Sequence, residues 1–215
     1  MLYPPLSYSP EQTRYEHPLI VETAKNMFLQ RGIEAVTLED IARSLRMPLG
    51  AIERHFPAGK PALVQAALQH HLATIHQRLA QQHLDSTNAV EELLVMRRST
   101  QQGIGDAGVL VFHELEEYYP FSWRYFRYVR ARFMLAYLRA NLQRGVQEGL
   151  YYPGLDADDL SQQWVRQVSE QQARAHTPTE LATARATHLN EFLASIASPI
   201  GAYVAQRLQE APPYY

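Results

Sequence analysis

The chain has 215 residues, 46% of them hydrophobic and 20% charged, with a formal net charge of −2 and no cysteine. That balance suits a globular protein with a sizeable core. It excludes disulfides and cysteine-based metal sites, and no apolar run approaches the roughly 20 residues of a membrane span. The N-terminus, Met-Leu-Tyr-Pro-Pro-Leu, lacks the basic segment and apolar stretch of a secretion signal, so a cytoplasmic location and no membrane partner are expected.

Residues 1–16 carry Pro4, Pro5 and Pro10 beside Tyr3, Tyr8 and Tyr15 without periodicity, and are expected to form a flexible arm. Helical spacing begins near His17. Ile20, Ala24, Met27 and Phe28 fall on one face, and Gly32 ends the element. Thr37 is a good N-cap for a second helix, with Asp40 at the third position as the acid of a capping box. Leu38, Ile41, Ala42 and Leu45 make its buried face. Arg46-Met47-Pro48 is a turn, and Pro48 suits the first position of a third helix. Ile52 and Phe56, spaced i, i+4, point inward together. Pro57-Ala58-Gly59 breaks the chain before a fourth helix from about Pro61 to Gln82, apolar along Leu63, Ala66, Ala67 and Leu72.

The remainder is helical by pattern. Helices are expected over Ser86–Thr100, Val109–Tyr119, Phe121–Glu148, Asp156–Ala175 and Glu180–Gln209. Gly103, Gly105 and Gly108 interrupt the run, Gly149–Gly154 closes the longest helix, and His176-Thr177-Pro178 separates the last two. The tail from Ala211 is expected to fray. No strand alternation competes, so the fold class is all-α. The boundaries read as an arm over 1–16, a small head over 17–72 and a helical body over 73–210.

Two short helices joined by a tight turn push the third helix outward from the head, where it can enter a DNA groove. Its outward face reads as Leu49, Ala51, Glu53, Arg54 and His55. Arg54 is the best donor to guanine or phosphate. Thr37 and Lys60 stand at helix starts, where an amide or an ammonium can grip phosphate. The first 72 residues hold seven basic residues (Arg14, Lys25, Arg31, Arg43, Arg46, Arg54, Lys60) and seven acidic ones (Glu11, Glu16, Glu22, Glu34, Glu39, Asp40, Glu53). DNA affinity therefore has to come from the placement of charge rather than its sum.

The order Ala24, Phe28, Arg31-Gly32, Thr37, Ile41-Ala42, Met47, Gly50, Ile52, His55-Phe56, Lys60 and Ala62-Leu63 resembles the TetR family of bacterial transcriptional regulators over about residues 17–72. Tyr118–Trp123 and Asn141–Pro153 look like ligand-domain segments of some members. The resemblance implies a helix-turn-helix head on a helical ligand-binding and dimerisation body. It also implies a homodimer through the last two long helices, a double-stranded DNA operator and a small-molecule effector of unknown identity. It makes Thr37, Arg46, Pro48, Leu49, Gly50, Ala51, Glu53, Arg54, His55 and Lys60 the candidate DNA-binding residues. The chain departs from the family at Pro48 and Glu53, where Ser and Tyr are usual, and at Arg46, where Gly is often found. Those departures leave a second reading open, a TetR-like fold that no longer binds an operator and serves as a ligand-binding or interaction module.

In the body, aromatic residues cluster from Tyr118 to Tyr137. They are either plain core or the lining of an apolar cavity with hydroxyls at its rim. Phe112, His113, Tyr119, Trp123, Phe126, Arg130, Met134 and Trp164 are the candidate effector-binding residues. Arg124, Arg127, Arg130 and Arg132 interleave with the rings; they face solvent or pair with Glu114, Glu116 and Glu117, and one of them can recognise an anion. His113 and Glu117 could serve as an acid–base pair in an enzyme. No nucleophile elbow, phosphate-cradling glycine loop or complete metal-ligand set accompanies them, so no catalysis, metal or cofactor is expected.

Overall fold

The computed structural model describes the backbone of residues 10–102 and 108–210. The first nine residues of the arm expected over 1–16, the interruption at Gly103 and Gly105, and the fraying tail from Ala211 lie outside the described residues; residues 10–16 are helical rather than a flexible arm. The described elements are α1 (Pro10–Arg31), α2 (Leu38–Leu45), α3 (Leu49–His55), α4 (Lys60–Asp85), α5 (Ala89–Gln102), α6 (Gly108–Tyr118), α7 (Pro120–Gln147), α8 (Ala157–Arg174), α9 (Pro178–Ile196) and α10 (Pro199–Glu210). Among the described residues the sole β-type pairing is an antiparallel bridge between Tyr151 and Ala197. The fold is all-α, as expected.

The chain forms two compact units, one of residues up to Ala73 with Leu110–Phe126, the other of Thr74–Val109 with Arg127 onward. In the first, α1, α2 and α3 pack on one another. Ile20, Ala24, Phe28, Ile41, Ala42, Ile52 and Phe56 are buried, which matches the apolar spacing of the sequence. Each large side chain so buried contributes about 1.5–3 kcal/mol. Helix α1 starts seven residues earlier than the spacing predicts, at Pro10, a residue whose missing N–H costs nothing in a first turn. Glu114 of α6 is buried in this unit, and its carboxylate accepts the backbone N–H of Ile33 at 2.5 Å and of Glu34 at 3.4 Å.

The second unit is built on Leu79, Val90, Leu93, Leu138, Leu142, Tyr151, Trp164, Leu189 and Ile196. The predicted single helix Glu180–Gln209 is a correction: it is two helices, α9 and α10. Pro199 lacks the N–H that would continue the ladder, and its ring would strike the carbonyl four residues back. Ala197 turns extended (φ −72°, ψ 131°), and Ser198 donates its N–H to the Leu150 carbonyl at 2.9 Å.

That partner is presented by the end of α7. Gly149 takes φ 70°, the N–H of Leu150 reaches the Gly145 carbonyl (2.9 Å) and that of Gly149 the Val146 carbonyl (3.1 Å). These two bonds are a Schellman motif. Tyr151 then lies so close over Gly145 that a Cβ there would overlap its ring. The Tyr151 hydroxyl donates to Asn141, whose amide donates to the Ala89 carbonyl at 2.9 Å. Nearby, the fully buried Glu92 is matched by Arg144 (3.2 Å) and His83 (2.9 Å), the partnering that a buried carboxylate requires.

Candidate nucleic-acid interface

Helix α2 is fixed at both ends. Thr37 accepts the N–H of Asp40 at 3.1 Å and Asp40 accepts that of Thr37 at 3.1 Å, a closed capping box. At the other end Arg46 takes the left-handed conformation (φ 55°, ψ 36°). The N–H of Met47 reaches the Ala42 carbonyl at 2.9 Å, so Arg46 fills a position that usually needs glycine. Pro48 stands just before α3, one residue earlier than expected, with extended backbone.

Helix α3 then buries Ile52 and Phe56 and exposes Glu53 and Arg54, while Leu49 and Gly50 are half-exposed. Around Gly50 a Cβ would meet nothing within 4 Å. Two residues differ from the sequence reading. Ala51 does not face outward; it is fully buried, because position i+3 from Pro48 closes the first turn against the core. His55 is turned inward, its side chain only 7% exposed, with its Nε2 3.0 Å from Glu16 and its ring edge-on to His17. His17 in turn stacks on Phe56.

The charge bookkeeping of the head changes once pairs are seen. Asp40 is held by Arg43 at 3.0 Å, Glu34 by Lys60 at 3.6 Å, and Glu22 by Lys25 at 2.8 Å and His70 at 2.5 Å. The hydrogen bond from Lys25, then that from His70, draws the Glu22 carboxyl down to about 2 against the opposing effect of burial. Much of the acidity is thus neutralised locally. Among the described residues Arg46 makes no ion pair and is exposed beside the turn.

The expected effector residues do not form one group. In the first unit Trp123 lies tilted against Phe112 at 5.6 Å and stacks on Phe126 at 5.8 Å. Tyr119 donates to Glu34 at 3.1 Å, and burial followed by the Glu34 charge pushes its hydroxyl up to about 12. His113 is exposed. Glu114, expected to pair with the arginines, is instead taken up by the two backbone amides described above. In the second unit Arg130, Met134 and Trp164 line a cavity of about 240 Å³ together with Arg127, Val165 and Val168. Helix α9 supplies what the sequence reading missed. His188 stacks on Trp164 at 4.2 Å, and burial lowers its pKa. Arg185 lies close enough to Arg130 for their charges to oppose. On sequence alone both read as ordinary residues of an amphipathic helix. Among the described residues no three His, Asp or Glu side chains are grouped to hold a metal ion, and no helix is long and apolar enough to cross a membrane.

Residues 20–67 match the family model for bacterial regulatory proteins of the tetR family. The chain carries a TetR-type head over those residues. It is a DNA-binding transcriptional regulator. Over 177 residues it is 28% identical to the HTH-type transcriptional repressor KstR2 of Mycolicibacterium smegmatis, covering 79% of this chain and 83% of that one. Solved structures share the TetR fold. KstR2 of Mycobacterium tuberculosis, a ketosteroid transcriptional regulator, aligns at TM-score 0.54 and 23% identity, over 85% of this chain and 95% of that one. A TetR regulator from Chloroflexus aurantiacus aligns at TM-score 0.64 and 22% identity, over 87% and 100%.

Proposed function

We propose that this chain is an effector-controlled repressor that grips a palindromic operator as a homodimer in the cytoplasm. Residues 17–72 serve as the reading head and 73–210 as the sensing and dimerising body. The observation that carries the reading is a short α3, following a doubly capped α2, that offers Arg54 and Glu53 to solvent with Arg46 beside the turn. Arg54 donates to a guanine edge or a phosphate, and Glu53 accepts from cytosine N4 in the major groove. Leu49, Gly50 and Pro48 border the backbone approach, and the N-terminal ends of α2 and α4, at Thr37 and Lys60, grip flanking phosphates. His55 works from within, bracing α3 through Glu16 and His17. Dimerisation runs through the last long helices, the second of which is now α9 continued by α10.

Two copies of α3 enter successive major grooves about one helical turn apart. An effector in the body favours a head spacing that no longer matches that distance, which demands several kcal/mol of preference for one state. The likeness to a repressor over most of both chains supports repression over activation. Selection of bound DNA from a random pool tests the proposal. A palindromic motif whose affinity falls steeply with salt is the expected outcome; absence of any enriched motif at low salt overturns it.

A further inference from the structure

The cavity of the second unit carries an unusual charge pattern. Its wall is apolar along Met134, Trp164, Val165 and Val168, cationic at Arg127 and Arg130, and holds no carboxylate. Close enough to Arg130 for their charges to oppose is Arg185 of α9, whose Nε is buried and, among the described residues, has no hydrogen-bond partner. Among the described residues no carboxylate pairs with Arg185. The next acid along α9, Glu191, acts on His188. Both guanidinium groups are held down to about 10, Arg185 by burial and Arg130 by burial and then by the charges of Arg185 and Arg127. A buried arginine with an idle donor is costly unless an anion completes it.

We infer that this cavity takes a small amphipathic anion, its acid group against the guanidiniums of Arg130 and Arg185 and its hydrocarbon along Met134, Trp164, Val165 and Val168. A guanidinium fork matches the paired oxygens of a carboxylate or a phosphate. The volume, about 240 Å³, lies below the roughly 300–1,000 Å³ of pockets for drug-sized ligands, so the occupant is small or short-tailed. This names the effector class of the function proposed above and rests on that reading for its regulatory meaning, though the binding site itself does not.

Calorimetric titration of the full chain with octanoate, octyl phosphate and octanol tests it. Either anion should bind at least tenfold more tightly than the equally long neutral octanol, and the tighter of the two identifies the acid group. Arg185→Met should abolish that preference. With one of the three clustered guanidiniums removed, the ligand-free variant should also melt no lower than the parent, and Arg130→Met gives the same result by a second route. Equal binding of octanoate and octanol, absence of binding by both anions, or Arg185→Met retaining the parent's preference would each overturn the inference. Operator binding is measured separately. Octanoate bound without loosening the operator supports the site and removes its role as effector, whereas a tight operator complex with no anion binding removes the site alone.

Discussion

Arg46 holds a left-handed backbone without glycine's freedom, a conformation that costs a side-chain-bearing residue about 1–2 kcal/mol. The position is exposed and, among the described residues, its charge is unpaired, so the strain buys a cation beside the turn. Arg46→Gly should therefore leave the melting temperature no lower while weakening operator binding in a gel-shift titration. Arg54→Ala should cost more than about 1 kcal/mol of operator affinity and relax preference at one base position; unchanged affinity would reassign that residue. Protonation offers a third test. Burial lowers His188, His76 and His17 below 6.5, so the unfolded chain takes up protons more readily than the folded one just under that pH. Stability from these groups is complete above pH 6.5 and declines as pH falls through the lowered values. Thermal melts between pH 7.5 and 5 should show that decline, and His188→Gln should flatten part of it.

At the scale of the element, the end of α7 is the most exacting. Gly145 lies under the Tyr151 ring, and Tyr151 is anchored by Asn141 and by the bridge to Ala197. Gly145→Ala should destabilise by about 1–3 kcal/mol through overpacking, read as a lower melting temperature with DNA contacts intact. The capping box at Thr37 and the turn at Arg46 were legible in the sequence because both obey local rules of hydrogen bonding along the chain. The break at Pro199 was signalled by the same rules, yet the apolar spacing on either side of it reads as one continuous helix. Ala51 misled for a related reason: on a seven-residue helix a single turn decides which face is buried, and the start lay one residue from where Pro48 suggests. The inward turn of His55 was not legible at all, since its partner Glu16 sits 39 residues away in a stretch without periodicity.

For the whole molecule, the sequence carried the helix order and the buried stripe of the head, but not the grouping of helices in space. The effector candidates between Phe112 and Trp164 read as one group and instead divide, Phe112, Trp123 and Phe126 in one unit and Met134 and Trp164 in the other. Ile200 and Tyr203 of α10 are 65% and 63% exposed at i, i+3, an apolar pair on the helix assigned to dimerisation. Ile200→Asp with Tyr203→Asp should shift the protein toward monomer in sedimentation analysis and lower its affinity for a two-half-site operator far more than for a single half-site. An unaltered dimer would move the interface elsewhere.

The carboxylate of Glu114 reaches back 81 residues to the Ile33 amide, and this bears on how the protein is made. A nascent chain leaving the ribosome presents α1 to α3 well before Glu114 emerges, so the bend after α1 waits with two donors unanswered. The head reaches its finished form only when translation has passed α6, and a polypeptide stopped at residue 73 should tumble as a looser, more protease-sensitive body than the same residues in the complete chain.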